Sequence, residues 1–126
     1  MKTLGEFYRE KILGLKKQHL EERELPNVGR NLKIELDLFR WKLYYSDSKY
    51  LTCRSEAEAR YLKVFLDAGL TQILVPKDDD YLEAILPELE RLKKRIEEII
   101  NHYIEGILDS SIRMQVRHRV YAEITK

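Results

Sequence analysis

Cysteine is nearly missing: Cys53 is the only one in 126 residues, so no intrachain disulfide can form. A chain without that staple suits a reducing compartment, and the expected location is cytoplasmic. Histidine is scarce as well. His19, His102 and His118 are widely spaced and share no motif with Cys53, which leaves neither a zinc-ligand spacing nor a nucleophile–base pair. The five glycines stand singly, which excludes a phosphate-cradling loop. No apolar run approaches the ~20 residues of a membrane span. The start, Met1-Lys2-Thr3-Leu4-Gly5-Glu6, brings in an acid too early for a signal peptide. Charge of one sign is lacking too. The formal net charge is +1, so no global field draws in nucleic acid or an acidic membrane. These absences leave no catalytic, cofactor-binding or metal residue to name, and no small-molecule substrate is indicated.

What is present is charge of both signs and aromatic mass. Charged residues make up 36% of the chain, against a usual ~25%. Lys, Arg and Glu abound while Asn and Gln are few, a bias shared with thermophile proteins and also with long charged helices. Eight tyrosines and one tryptophan argue against disorder. The length suits a single domain spanning 1–126.

The apolar spacing divides that domain into three stretches. Leu4, Phe7, Tyr8, Ile12 and Leu15 predict an N-terminal helix from about Thr3 to Leu20, within residues 1–22. Pro26 and Gly29 mark a loop. Residues 31–76 predict a hairpin, a helix and a strand. Leu32, Ile34, Leu36 and Leu38 alternate with polar residues; Phe39, Trp41, Leu43 and Tyr45 continue the alternation in the opposite phase. A bulge or bend near Leu38-Phe39 would reconcile the two. Ser46-Asp47-Ser48-Lys49 is turn chemistry, returning through Tyr50 to Cys53. Ser55 with Glu58 forms a capping box opening a helix to about Ala68, with Gly69 at the left-handed cap. Ile73-Leu74-Val75 predicts a short strand closed by Pro76. Residues 78–126 predict a helical hairpin. The predicted class is α+β: a small, mainly antiparallel sheet, an amphipathic helix, a long C-terminal helix and a returning terminal helix.

The most specific pattern lies in the long helix. Leu82, Ile85, Leu89, Leu92, Ile96, Ile99 and Tyr103 fall at three-four spacing, the narrow seam of a coiled coil or helical hairpin. Folding back within the chain would bury it, and so would a partner. On the second reading Leu89, Leu92, Ile96, Ile99 and Tyr103 form the partner-binding surface of a homo-oligomer or of an adaptor subunit. Pro87 lies opposite the seam, at a kink or at the first turn of a second segment.

Other clusters have ordinary explanations. Asp78, Asp79 and Asp80 cap the long helix more naturally than they hold Mg²⁺. Glu35 and Asp37 share one strand face with Lys33, as a solvated face does. Arg113, Arg117 and Arg119 in the terminal stretch suggest nucleic acid, with Trp41, Tyr44, Tyr45 and Tyr50 offering rings for base stacking. Those arginines flank the apolar stripe of Ile112, Val116, Val120 and Ile124, where Glu90, Glu97, Glu98 and Glu105 are available to pair with them. The stretch Val75-Pro76-Lys77-Asp78, followed by Leu86-Pro87-Glu88-Leu89-Glu90, resembles tail segments in archaeal restriction-modification methyltransferases. The likeness around it extends over about a third of the chain and holds no catalytic motif. The resemblance implies DNA-associated accessory work and assigns no residue a role. The leading expectation is a small non-enzymatic protein–protein interaction module. The alternative is a nucleic-acid-associated accessory protein.

Overall fold

The computed structural model describes residues 2–27 and 32–104. In chain order they form α1 (Leu4–Lys11), a 3-10 turn (Lys17–His19), β1 (Leu20–Glu24), β2 (Lys33–Asp37), β3 (Arg40–Tyr44), β4 (Tyr50–Cys53), α2 (Glu56–Asp67), β5 (Gln72–Pro76) and α3 (Asp79–Ile104). The strands make two antiparallel sheets, one of β2-β3-β4 and one of β1-β5. The architecture is a small α+β fold with a long helix near the C-terminus. The expected terminal helix lies outside the described residues, as do Arg113, Arg117 and Arg119.

The first helix is shorter than its apolar spacing predicts. Thr3 caps it, its Oγ1 accepting from the Glu6 N–H at 3.0 Å. It ends where the N–H groups of Ile12 and Leu13 both return to the Tyr8 carbonyl. Gly14 then lets the chain turn close to the helix; a Cβ there would lie 3.0 Å from the Glu10 carbonyl oxygen. The residues expected to continue the helix and enter a loop instead supply β1, Leu-Glu-Glu-Arg-Glu. No alternation marks it as a strand. It extends because it pairs with β5, from Leu20 opposite Pro76 to Glu24 opposite Gln72. Tertiary pairing, not local pattern, makes this strand.

The change of phase at Leu38-Phe39 is a chain reversal rather than a bulge. Asp37 pairs with Arg40, so Leu38 and Phe39 are the whole turn. Ile34 then lies opposite Leu43 and Leu36 opposite Trp41. An even-numbered face on β2 therefore meets an odd-numbered face on β3. The second turn is as the sequence predicts: the Ser46 Oγ accepts from the Lys49 N–H at 3.0 Å, and Tyr44 pairs with Tyr50.

α2 is the hub of the core. Ser55 caps it, accepting from the Glu58 N–H at 3.1 Å, and Gly69 leaves it at φ +88°. Ala57, Ala59, Tyr61, Leu62, Val64, Phe65 and Leu66 are all buried. One side of the hub meets β2-β3-β4 and another meets α3. β5 does not join the hairpin's sheet, because its second edge is already occupied by side chains. The Leu74 N–H donates to the Tyr8 hydroxyl at 3.0 Å, and the Tyr61 hydroxyl donates to the Leu74 carbonyl at 2.7 Å. Two tyrosines from α1 and α2 thus close a sheet edge that would otherwise invite pairing. Replacing Tyr61 with Phe is expected to cost about 1–3 kcal/mol by removing the donor to a half-buried carbonyl, read from urea denaturation. A loss below ~0.5 kcal/mol would show that water satisfies Leu74 equally well.

α3 runs uninterrupted past Pro87, which sits on its exposed side. Its 26 residues span about 39 Å at ~1.5 Å each. Asp78 caps it, Oδ1 accepting from the Asp80 N–H at 2.9 Å. Leu82, Ile85, Leu86, Leu89, Leu92 and Ile96 are buried in the same cluster as α2 and Phe7 of α1. The Tyr81 hydroxyl donates to the Lys11 carbonyl at 2.5 Å, tying the start of α3 to the end of α1.

Candidate functional site

Two places concentrate unusual chemistry. The first is the turn between β2 and β3. Leu38 and Phe39 adopt φ +48° and +69°. Positive φ at both central residues marks a type I′ hairpin turn, which selects Asn-Gly or a similar pair. A bulky L residue in that region costs about 1 kcal/mol. Neither side chain is compensated by burial: Leu38 is 85% exposed and Phe39 is 99% exposed. Leu36 beside them is 58% exposed, facing a half-buried Trp41 across the ladder. The hairpin therefore ends in an apolar knob that folding alone does not explain.

The two faces behind the knob differ sharply. Leu43 and Cys53 are buried on the side toward α2, with Ile34, Trp41 and Leu51 packed against them. The opposite face carries charge and rings. Lys33 pairs with Glu35 at 2.5 Å and Lys42 with Asp37 at 2.9 Å. Tyr44 and Tyr50 stack with centroids 5.3 Å apart, and the Lys42 ammonium lies 4.4 Å over the Tyr50 ring. The charges flanking the knob are therefore of both signs, two ion pairs with Arg40 unpaired beside Phe39 among the described residues, rather than a collar of one sign.

The second place is a buried ionic knot. Glu58 is 1% exposed, yet it is a carboxylate. Its Oε1 accepts from Arg23 Nη1 at 3.0 Å and from the Arg54 N–H at 3.3 Å; its Oε2 accepts from Arg54 Nη1 at 2.7 Å. Arg54 also donates to Asp79 Oδ1 at 2.9 Å and to the Pro76 carbonyl. Ser55 donates to that same Asp79 oxygen at 3.0 Å, and Arg23 reaches the Thr52 carbonyl at 3.1 Å. The network clamps β1, β4, the start of α2, β5 and α3 at one point. Every buried side-chain N and O among the described residues has a partner. Three donors hold the two carboxylate oxygens, both of which meet a guanidinium group, and at 1% exposure Glu58 is closed to a ligand from solvent. Its geometry is that of a clasp.

Cys53, next to the knot, is held as a thiol. Burial first and the Glu58 charge second push its pKa up to about 11. It packs as a small apolar group rather than as a thiolate nucleophile.

Of the residues expected to meet a partner, Leu89, Leu92 and Ile96 are buried in the chain's own core. The stripe is covered by α1, α2 and β5, because folding back was the nearest way to remove it from water. They are not surface groups. Ile99 is half-buried, and the side chain of Tyr103 is outside what is described. The Leu38-Phe39 knob is absent from that expectation. Its sequence signal was the phase flip itself: two large apolar residues between Asp37 and Arg40, at the one point where the chain must reverse.

Among the described residues no three His, Cys, Asp or Glu side chains stand together in a metal-binding group. No helix there is long and apolar enough to cross a membrane. Compared with known proteins, the chain matches no family model, no curated protein and no solved structure.

Proposed function

We propose that this chain is a small non-enzymatic interaction module. It works through protein–protein contact, as a homodimer or as a subunit or adaptor of a larger assembly, and the Leu38-Phe39 knob is its anchor. One observation carries the reading: two bulky apolar side chains stand in solvent on a backbone that disfavours them. Asn-Gly at this turn would be less strained and less greasy. Retaining Leu and Phe there makes sense when another surface takes them up. The mixed charges behind the knob, two ion pairs and one unpaired Arg40, fit a protein pocket with a mixed polar rim better than an anionic lipid or nucleic-acid surface, which would favour a basic collar. A tip of three side chains is small, so the contact belongs with weak or transient ones. The knot at Glu58 and the protonated Cys53 supply structure rather than chemistry, which supports the non-enzymatic side of the reading.

The test is the double substitution Leu38→Asn with Phe39→Gly. It is expected to raise stability by about 1–2 kcal/mol by relieving the turn. It is also expected to remove the contact. Wild type and variant would serve as paired baits in the native host, with solution mass measured across a wide concentration range. Self-association or a stoichiometric companion seen with wild type alone is the expected result. Identical mass and identical companions for both proteins would end the proposal.

A further inference from the structure

Beyond the hairpin, the surface of α3 near the amino terminus carries an imbalance of charge. A cleft of about 210 Å³ is lined by Lys2, Glu88, Arg91, Leu92 and Arg95. Arg91 and Arg95 lie four residues apart on one face of α3, both exposed. Like charges at that spacing repel along a helix; the outer i±4 positions hold Pro87 and Ile99, and Glu88 and Glu98, three residues from Arg91 and Arg95, pair with neither arginine among the described residues. Among the described residues neither guanidinium makes an ion pair, whereas Arg23 and Arg54 grip Glu58 and Arg60 grips Glu90. Lys2 completes the cleft. Its ammonium is fixed 2.6 Å from Glu10 Oε2 and 3.2 Å from Glu88 Oε1. Glu88 is therefore already engaged, and the two free guanidinium forks face a cleft floored by buried Leu92.

We infer that Lys2, Arg91 and Arg95 form a binding site for a phosphate group. Guanidinium forks match the oxygens of a phosphate two at a time, and a tetrahedral dianion relieves the repulsion between Arg91 and Arg95. The volume is below the ~300 Å³ of ordinary small-molecule pockets, so the cleft takes the phosphate and leaves the rest of the ligand outside. A phosphate monoester and a phosphodiester of a nucleic-acid backbone share this chemistry. The site is separate from the hairpin knob and does not depend on it.

The experiment follows the full chain by amide NMR during titration with inorganic phosphate, at constant ionic strength set with chloride. A second titration uses a short oligothymidylate. Saturable shifts centred on Arg91 and Arg95 are expected. Arg91→Ala with Arg95→Ala should weaken binding about tenfold or more. Lys94→Ala, an exposed cation outside the cleft, should leave it unchanged. Both substituted arginines are exposed, so an unaltered spectrum elsewhere will show that the variant folds. Response to phosphate alone assigns the site to monoesters. A tighter response to the oligonucleotide, reversed by phosphate, assigns it to the nucleic-acid backbone. No saturable shift in either titration, or equal binding by the double variant, overturns the inference.

Discussion

Glu58→Ala is expected to cost about 3–5 kcal/mol, more than any other single polar substitution among the described residues. Removing the carboxylate leaves the Arg23 guanidinium without an ion pair and Arg54 with only Asp79 and, at 3.6 Å, Glu21. It also leaves the Arg54 N–H without the acceptor it has at 3.3 Å. Arg23 and Arg54 each retain some contact with water, at 22% and 28% exposure, which pulls the cost toward the lower end of that range. The measurement is urea denaturation of wild type and variant with the slope of the transition compared. An unchanged slope with a lowered midpoint means lost stability in the same native fold. A loss below ~1 kcal/mol would place this pair with ordinary surface ion pairs and dissolve the clasp. Adding salt should narrow the difference little, because a carboxylate at this depth is poorly screened.

Leu89→Ala is expected to cost about 2–5 kcal/mol, and to leave the solution mass unchanged. Leu89 is fully buried midway along α3, a helix that packs against both α2 and α1. Truncating it removes apolar contact and leaves a void that a close-packed cluster cannot close. The pairing of the two readouts matters. A stripe that served chiefly as a subunit interface would lose association first and monomer stability little. The burial of Leu82, Leu89 and Ile96 predicts the reverse order. A variant as stable as wild type but altered in mass would contradict the packing described here. Ile99→Asp, at a half-buried position, is the useful companion, because its effect on folding should be much smaller.

These substitutions also separate what was legible along the chain from what was not. Helix α2 was plain from its cap, its apolar face and Gly69, since all three signals act within a few residues of one another. The continuity of α3 was less plain, because Pro87 allowed a kink or the start of a second segment. Pro87 falls on its exposed side, where the strong pattern on the opposite face outweighs one missing N–H. Strand β1 was invisible. Its Leu-Glu-Glu-Arg-Glu has no period of two and owes its shape to β5, 52 residues further on at the Glu22–Leu74 pairing. The flip in alternation marks a bulge or bend at Leu38-Phe39 but does not show a full reversal there, because Leu-Phe carries no turn chemistry. Glu58 was read as half of a capping box. Nothing nearby announced that Arg23, from another strand, would meet it in the core.

Local order in this protein, meaning where helices begin, which faces are oily and where the chain lacks the spacing of a metal or nucleophile site, was set by neighbours a few residues apart. That information is written in the chain because caps, periodicity and turn preference are short-range forces. Which faces are hidden, which sheet edge is sealed by tyrosines and which apolar residues are left in water depended on contacts between distant segments. The same three-four stripe could serve a neighbour in its own chain or in another. The choice fell to the closeness of α1, α2 and β5, which no spacing of residues encodes.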